Sequence, residues 1–191
     1  MLIAFNKPYG VLSQFNANPG EEGQRTLQEF DFPPGVLPLG RLDMDSEGLL
    51  LFTDEKALED RLLNPKHKHR RRYLALVEGE PAPQALELLR SGTLVIKGHR
   101  CLPCRAKALK EAPGLPDRDP PVRLRKSIQD TWLRLELREG KNRQVRRMTA
   151  AAGHPCLRLW REGIGAFPLG DLAVGAWREL SKEERQAVFA R

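Results

Sequence analysis

Residues 130–155 read DTWLRLELREGKNRQVRRMTAAAGHP. In the first part Leu133, Leu135 and Leu137 face one way while Trp132, Arg134, Glu136 and Arg138 face the other, the period of two of a half-buried strand. Glu139 and Gly140 turn the chain. The spacing then changes to that of a helix over about Lys141 to Ala152, with Val145, Met148 and Ala152 on its inward stripe, Gly153 as C-cap and Pro155 as stop. A strand followed at once by a helix sets the pattern for the rest. Leu2–Phe5 and Gly48–Phe52 read as short apolar strands, and Asp54 as N-cap of a helix that runs to Leu63 before Asn64 and Pro65 stop it. Tyr73–Val77 alternates like a strand, Pro83–Leu89 suits a helix ended by Gly92, and Thr93–Ile96 is a strand closed by Lys97 and Gly98. Ser181 to Glu184 forms a capping box for a last helix. Strands outnumber helices and do not alternate with them regularly, so the expected class is α+β, not doubly wound.

The only linker-like stretch is EAPGLPDRDPPV, residues 111–122, where four prolines and a glycine forbid regular structure. Its flanks, CLPCRAKAL and DTWLRLELR, both read as strands, so a long surface loop joining two strands of one sheet is the simpler assignment. The expectation is a single domain, 1–191, built as two intimate halves. No apolar run is long enough to span a bilayer, Leu49–Phe52 being one of the longest. The N-terminal MLIAFNKPYG lacks a secretory pattern, which points to the cytoplasm. Three cysteines, an odd number, exclude a disulfide-stapled scaffold.

The 191 residues include 32 Lys plus Arg against 25 Asp plus Glu, a net charge of +7. That excess is local. KHKHRRR at 66–72 holds five basic residues and KNRQVRR at 141–147 four more, with no acid in either. Without those nine, 23 basic residues face 25 acidic ones. Two concentrated patches on an otherwise balanced chain suit a polyphosphate partner, bound through counterion release. Solvated charge runs are the plainer alternative.

Three constellations could carry chemistry. His99, Cys101, Cys104 and Cys156 have zinc-ligand chemistry. If Arg100–Leu109 is a strand, however, the odd offset puts Cys101 and Cys104 on opposite faces, and no metal is expected. The second is GRLDMDSEGLLLFTD, residues 40–54, which places Arg41, Asp43 and Asp45 in a loop before a buried strand, where reactive side chains are commonly presented. Opposite charge lowers a carboxylate pKa and like charge raises it, so local sequence does not choose between the two aspartates. A surface ion pair with Asp43 capping a turn fits equally well. The third is EGKNRQVRRM, residues 139–148, where Lys141, Arg143, Arg146 and Arg147 surround a helix. Arg146 lies beside the inward stripe and must find an anion, a phosphate or a protein carboxylate such as Asp43.

The last two segments make the chain recognisable. G-R-L-D-x-D-S-E-G-L-L at 40–50 with E-G-K-N-R-Q-V-R-R-M at 139–148 resembles the pseudouridine synthases of the RsuA/RluE branch. Four more stretches match in order: N-K-P-Y-G at 6–10, R-Y-L-A-L-V-E-G at 72–79, L-R-L-W-R at 157–161, and L-x-x-L-x-x-G-x-W-R-x-L-S-x-x-E from Leu169 to Glu184. The resemblance spans the chain and implies a mixed, mostly antiparallel sheet flanked by helices with a central cleft.

By that resemblance Asp43 is the catalytic carboxylate, acting at the ribose anomeric carbon, at carbon 6 of uracil, or otherwise in breaking the glycosidic bond. Tyr73 matches the tyrosine that stacks on the target base, and Arg146 the basic residue that pairs with the aspartate. Arg41 is expected to contact the flipped nucleotide or its backbone, and Lys7, Lys141, Arg143 and Arg147, with Arg70, Arg71 and Arg72 of the other basic run, to contact phosphates. The reaction is an isomerisation, so no cofactor is implied. Ser46 and Arg143, where broader relatives carry Thr and His, agree with the RluE-like subgroup. NKPYG begins at Asn6, so no RNA-binding S4 domain is expected before it. The implied substrate is a uridine of large-subunit ribosomal RNA, and a monomer is the default. A non-catalytic ribosomal-RNA-binding or assembly protein explains the charge patches equally well, but a carboxylate beside phosphates works against a pure binder.

Overall fold

The structure is a computed structural model that describes residues 1–123 and 129–190. In chain order it holds β1 (Leu2–Lys7), β2 (Leu37–Pro38), β3 (Ser46–Thr53), α1 (Lys56–Leu63), β4 (Arg71–Val77), α2 (Pro83–Arg90), β5 (Val95–Ile96) and β6 (His99–Arg100). Next come β7 (Arg105–Ala108), β8 (Thr131–Leu137), α3 (Gln144–Ala151), β9 (Cys156–Ile164), β10 (Phe167–Pro168), β11 (Trp177–Glu179) and α4 (Lys182–Val188). The chain divides into two compact units, residues 1–69 with 161–191, and residues 70–160. The class is α+β, and β1 with β11 and β3, β2 with β3, β10 with β9, β8 with β4 and β7, and β5 with β6 all pair antiparallel.

In the first unit β1 lies between β11 and β3, with Ile3 opposite both Glu179 and Phe52. All eight residues of β3 are buried, as a continuous apolar run requires of a covered strand. Leu50 and Phe52 join Ile3, Phe5, Val11 and Leu27 in one core, which Phe30 and Phe32 extend. The Phe32 ring stacks on Phe52 with centroids 4.2 Å apart. Each such side chain contributes roughly 1.5–3 kcal/mol by leaving water. Gly48 has φ +94, and a Cβ there would lie 2.5 Å from the Arg161 carbonyl oxygen, so only glycine lets β3 approach this backbone.

In the second unit β8 pairs with β4 and β7, placing Leu135 opposite both Tyr73 and Ala106. The alternation read from sequence holds: Leu133, Leu135 and Leu137 are buried and pack with Val145 and Met148 of α3. Residues 111–122 join β7 to β8, two neighbours in one sheet, without regular structure. Lys97 and Gly98, both at positive φ, turn β5 into β6.

Three expectations are corrected. The N-cap of α1 is Glu55, not Asp54, because the Asp54 carboxylate is taken by the N-terminal amine. Helix α3 starts at Gln144, three residues later than its spacing suggested, because Arg143 sits in the left-handed region at φ 51. The Gln144 side chain instead turns back to accept from the Lys141 amide at 2.9 Å. Lys141 and Arg143 are therefore loop residues, not part of a helical face. Finally, residues 101–104 are not strand: β7 covers only Arg105–Ala108, and the Cys101 amide bonds the Leu94 carbonyl.

Candidate active site

In the first unit the segment after β1 builds a seat for the Arg41–Ser46 loop. The Asp43 carbonyl accepts from the Ser46 amide at 3.0 Å, closing a four-residue turn with Asp43 at its start and Met44 and Asp45 between. Gly10, at φ +78, donates its amide to the Met44 carbonyl at 2.8 Å. The buried Ser13 hydroxyl donates to the Leu42 carbonyl at 2.7 Å and accepts from the Leu42 amide at 3.0 Å. Asp43, half-buried, is thus held by anchors on both neighbouring residues. Arg41 is exposed beside it and donates to Gln14 Oε1 at 3.1 Å.

Lys7 departs from its expected role. It is fully buried, and its Nζ donates to the Pro8 and Val11 carbonyls at 2.8 and 2.7 Å. An ammonium enclosed in this way is not available to an RNA phosphate, so Lys7 is a structural lysine of the seat. Burial pushes it down to about 7, against the pull of Glu47, Asp45 and Asp43 and with the Arg161 charge acting in the same direction as burial. Arg161, 5% exposed, donates its Nε to the Leu49 carbonyl at 2.7 Å.

The basic run at 66–72 is not one patch. Lys66 and His67 belong to a short 3-10 turn, Pro65–His67, capped by Asn64 and set beside Asp60. His69 is buried, with Nε2 2.8 Å from the Arg61 carbonyl. In the second unit, half-buried Arg71 and Arg72 open β4, directly after half-buried Arg70. Arg71 packs over Gly140, where a Cβ would lie 3.7 Å from the guanidinium carbon, so the second half of this run meets the 139–147 segment. Lys141 and Arg143 are exposed there, Arg147 donates to Asn142 at 2.5 Å, and half-buried Arg146 donates to the Cys156 carbonyl at 3.1 Å. Tyr73 is 9% exposed and shares a core with Ala75, Val77 and Leu135.

Residue-type patterning missed the residue that organises this segment. Glu139, read as part of a turn, is 8% exposed. Its carboxylate receives the Leu102 amide at 2.7 Å and the Gln144 amide group at 2.5 Å, and lies 2.8 Å from His99 Nε2. Burial opposes its ionised form, but these partners outweigh it and hold the carboxyl below its ordinary value. The thiols serve the fold as well. Burial pushes Cys104 up to about 11, and its Sγ donates to the Leu89 carbonyl. Cys156 Sγ donates to the Arg158 carbonyl.

The first unit thus presents a half-buried aspartate on a turn near an exposed arginine, and the second unit carries a cluster of arginines. The chain belongs to the RNA pseudouridylate synthase family, whose sequence profile matches residues 1–151. Within it, the chain is 51% identical over 178 residues to a Xanthomonas campestris pv. campestris protein named ribosomal large subunit pseudouridine synthase E, covering 93% of this chain and 94% of that one. It is 44% identical to the protein of that name from Vibrio parahaemolyticus, over 94% of this chain and 73% of the other. A crystal structure of a pseudouridylate synthase superposes with a TM-score of 0.78 at 25% identity, over 98% of this chain and 73% of that one. The resemblance carried by the six motifs is borne out, both for the family and for the subgroup. Among the described residues no helix is long and apolar enough to cross a membrane.

Proposed function

We propose that this enzyme converts one uridine of large-subunit ribosomal RNA to pseudouridine, with Asp43 as its catalytic carboxylate. The observation that carries the assignment of Asp43 is its setting: a carboxylate opening a turn whose neighbouring residues, Leu42 and Met44, are both pinned by the 10–13 segment. The substrate class is supported by the relatives named for the large ribosomal subunit.

The target atoms lie inside a base stack, so the nucleotide is flipped out at a cost of a few kcal/mol that protein contacts offset. Arg41, exposed beside Asp43, contacts the flipped nucleotide or its backbone. Arg70, Arg71, Arg72, Lys141, Arg143 and Arg147 hold phosphates of the flanking RNA and set its register, without reading sequence. Tyr73 stacks on the target base, and Arg146 is the basic residue that the resemblance assigns to the catalytic aspartate. The ionised Asp43 assists departure of uracil from the ribose. The base rotates and rejoins through carbon 5, the carbon 5 proton is lost to solvent, and the N1 freed from the ribose takes up a proton. Nothing is oxidised or reduced, and the energy of the broken carbon–nitrogen bond is recovered in the new carbon–carbon bond, so the chemistry needs no cofactor. The enzyme works in the cytoplasm as a monomer.

The test is tritium release from large-subunit ribosomal RNA labelled at carbon 5 of uracil, with wild type and Asp43→Asn compared in parallel. Release by wild type and none by the variant, with RNA binding equal in both, is the expected result. Equal release by both removes Asp43 from the chemistry. Salt-sensitive binding without release from any ribosomal RNA or precursor particle makes the protein an assembly factor.

A further inference from the structure

The sequence motifs put no emphasis on Ser13, yet it makes the most specific contact in the seat of the catalytic loop. Leu42 lies outside any strand, so no ladder serves its backbone. Its amide and its carbonyl are both satisfied by the same hydroxyl, at 3.0 and 2.7 Å. One side chain thus does for this peptide what a neighbouring strand does elsewhere. Ser13 is 3% exposed and Leu42 7%, with Leu42 embedded in the first unit's apolar core, so water does not substitute for the hydroxyl.

Ser13 is itself held. The flanking Leu12 amide bonds the Arg25 carbonyl at 2.9 Å, and the Gln14 carbonyl accepts from the Leu27 amide, also at 2.9 Å. Three residues before it, Gly10 anchors Met44 on the other side of Asp43. The direction of the Asp43 Cα–Cβ bond is therefore fixed by the peptides on either side of it, each tied to the 10–13 segment. Asp43 follows Leu42 directly, so rotating the Leu42 peptide swings the carboxylate.

We propose that Ser13 is a positioning residue of the reaction, its hydroxyl clamping the Leu42 backbone and so aiming the Asp43 carboxylate at the flipped nucleotide. This rests on the assignment of Asp43 as the catalytic carboxylate. A misplacement of about 1 Å at a reacting group costs on the order of 100-fold in rate. A residue that only supports the fold would instead lower the amount of folded enzyme and leave the rate per folded molecule intact.

The experiment measures single-turnover tritium release, the Kd for the same RNA and the thermal midpoint for wild type, Ser13→Ala, Ser13→Thr and Asp43→Asn. The expected result for Ser13→Ala is a single-turnover rate lowered by about 10- to 100-fold, with Kd unchanged within about twofold and the folded fraction complete at the assay temperature. Ser13→Thr, which keeps the hydroxyl, restores most of the rate. Should Ser13→Ala not fold, Ser13→Cys, close in volume and with a weaker donor, is read in its place and shows the same split between rate and Kd. A wild-type rate in the variant lacking the hydroxyl, or a loss that follows Kd or the unfolded fraction, overturns the proposal. Full activity of Asp43→Asn overturns the assignment of Asp43 and the proposal with it, whereas an inactive Asp43→Asn beside a fully active Ser13→Ala overturns the proposal alone.

Discussion

Replacing Lys7 by methionine removes a buried charge and leaves a side chain of similar length in its space. Lys7 has no exposed surface, and burial lowers it from its ordinary 10.5 to about 7. Because the folded value lies below the unfolded one, the unfolded chain binds more protons between those two values, and Lys7 makes stability rise with pH across that window. A shift of this size corresponds to about 5 kcal/mol at 1.36 kcal/mol per unit, nearly all of it a charge penalty still present at pH 7. Between pH 7 and pH 9 the penalty falls by about 2 kcal/mol. The variant keeps every other titrating group, so subtracting its pH dependence isolates this one. Urea unfolding of both proteins at the two pH values is the assay, with wild type expected to gain about 2 kcal/mol on Lys7→Met over the interval. A constant difference between the two proteins would show that the ammonium is not confined as described and would refute the reasoning. The absolute effect at pH 7 is smaller than the penalty alone, because methionine leaves the Pro8 and Val11 carbonyls without their donor, at about 1–3 kcal/mol for each buried group left unpaired.

Gly48→Ala forces a Cβ onto the Arg161 backbone at a positive φ, and is expected to cost about 2–5 kcal/mol from strain and overpacking together, read as a lowered urea midpoint. Glu139→Gln replaces a buried carboxylate that serves three partners, and should lose about 1.5–3 kcal/mol at pH 7. Its folded pKa is depressed, so the contribution is present above the unfolded value of 4.5 and fades as pH falls through the lower folded value; the gap between wild type and variant should close in acid unfolding curves. Met148→Ala empties a fully buried site in the second unit's core and should cost about 2–5 kcal/mol by calorimetry, with RNA affinity per folded molecule retained.

The parts of the fold that were legible in sequence are those where side-chain periodicity meets burial directly. Leu133, Leu135 and Leu137 announced β8, and Ser181 with Glu184 announced α4, because each signal is local and one physical effect dominates it. The start of α3 was not legible. Arg143 adopts a left-handed conformation that its residue type disfavours, stabilised by Gln144 and Glu139 contacts across the turn. Lys7 was misplaced for a related reason. Lysines are almost never fully buried, so the expectation of a surface contact follows the rule, and only the carbonyls of Pro8 and Val11 show why this one breaks it. The aspartate at the site could be named from its motif, but its support could not. Ser13 and Gly10 lie some thirty residues from it in sequence, and nothing in a serine or a glycine indicates which backbone it will hold.

The pairing of β1 with β11 joins Ile3 to Glu179, which lie 176 positions apart. At about 5–20 residues per second of synthesis, β1 waits roughly ten to thirty-five seconds for this neighbour. Throughout that interval the ribosome carries a nascent chain with one bare edge on a strand whose six residues are all destined for the interior. Such an edge invites pairing with strangers, and here it is masked only once Trp177–Glu179 have been made. Messages cut short before Trp177 are therefore expected to yield insoluble chains in place of weakened enzymes, a distinction visible by comparing pellet with supernatant after lysis.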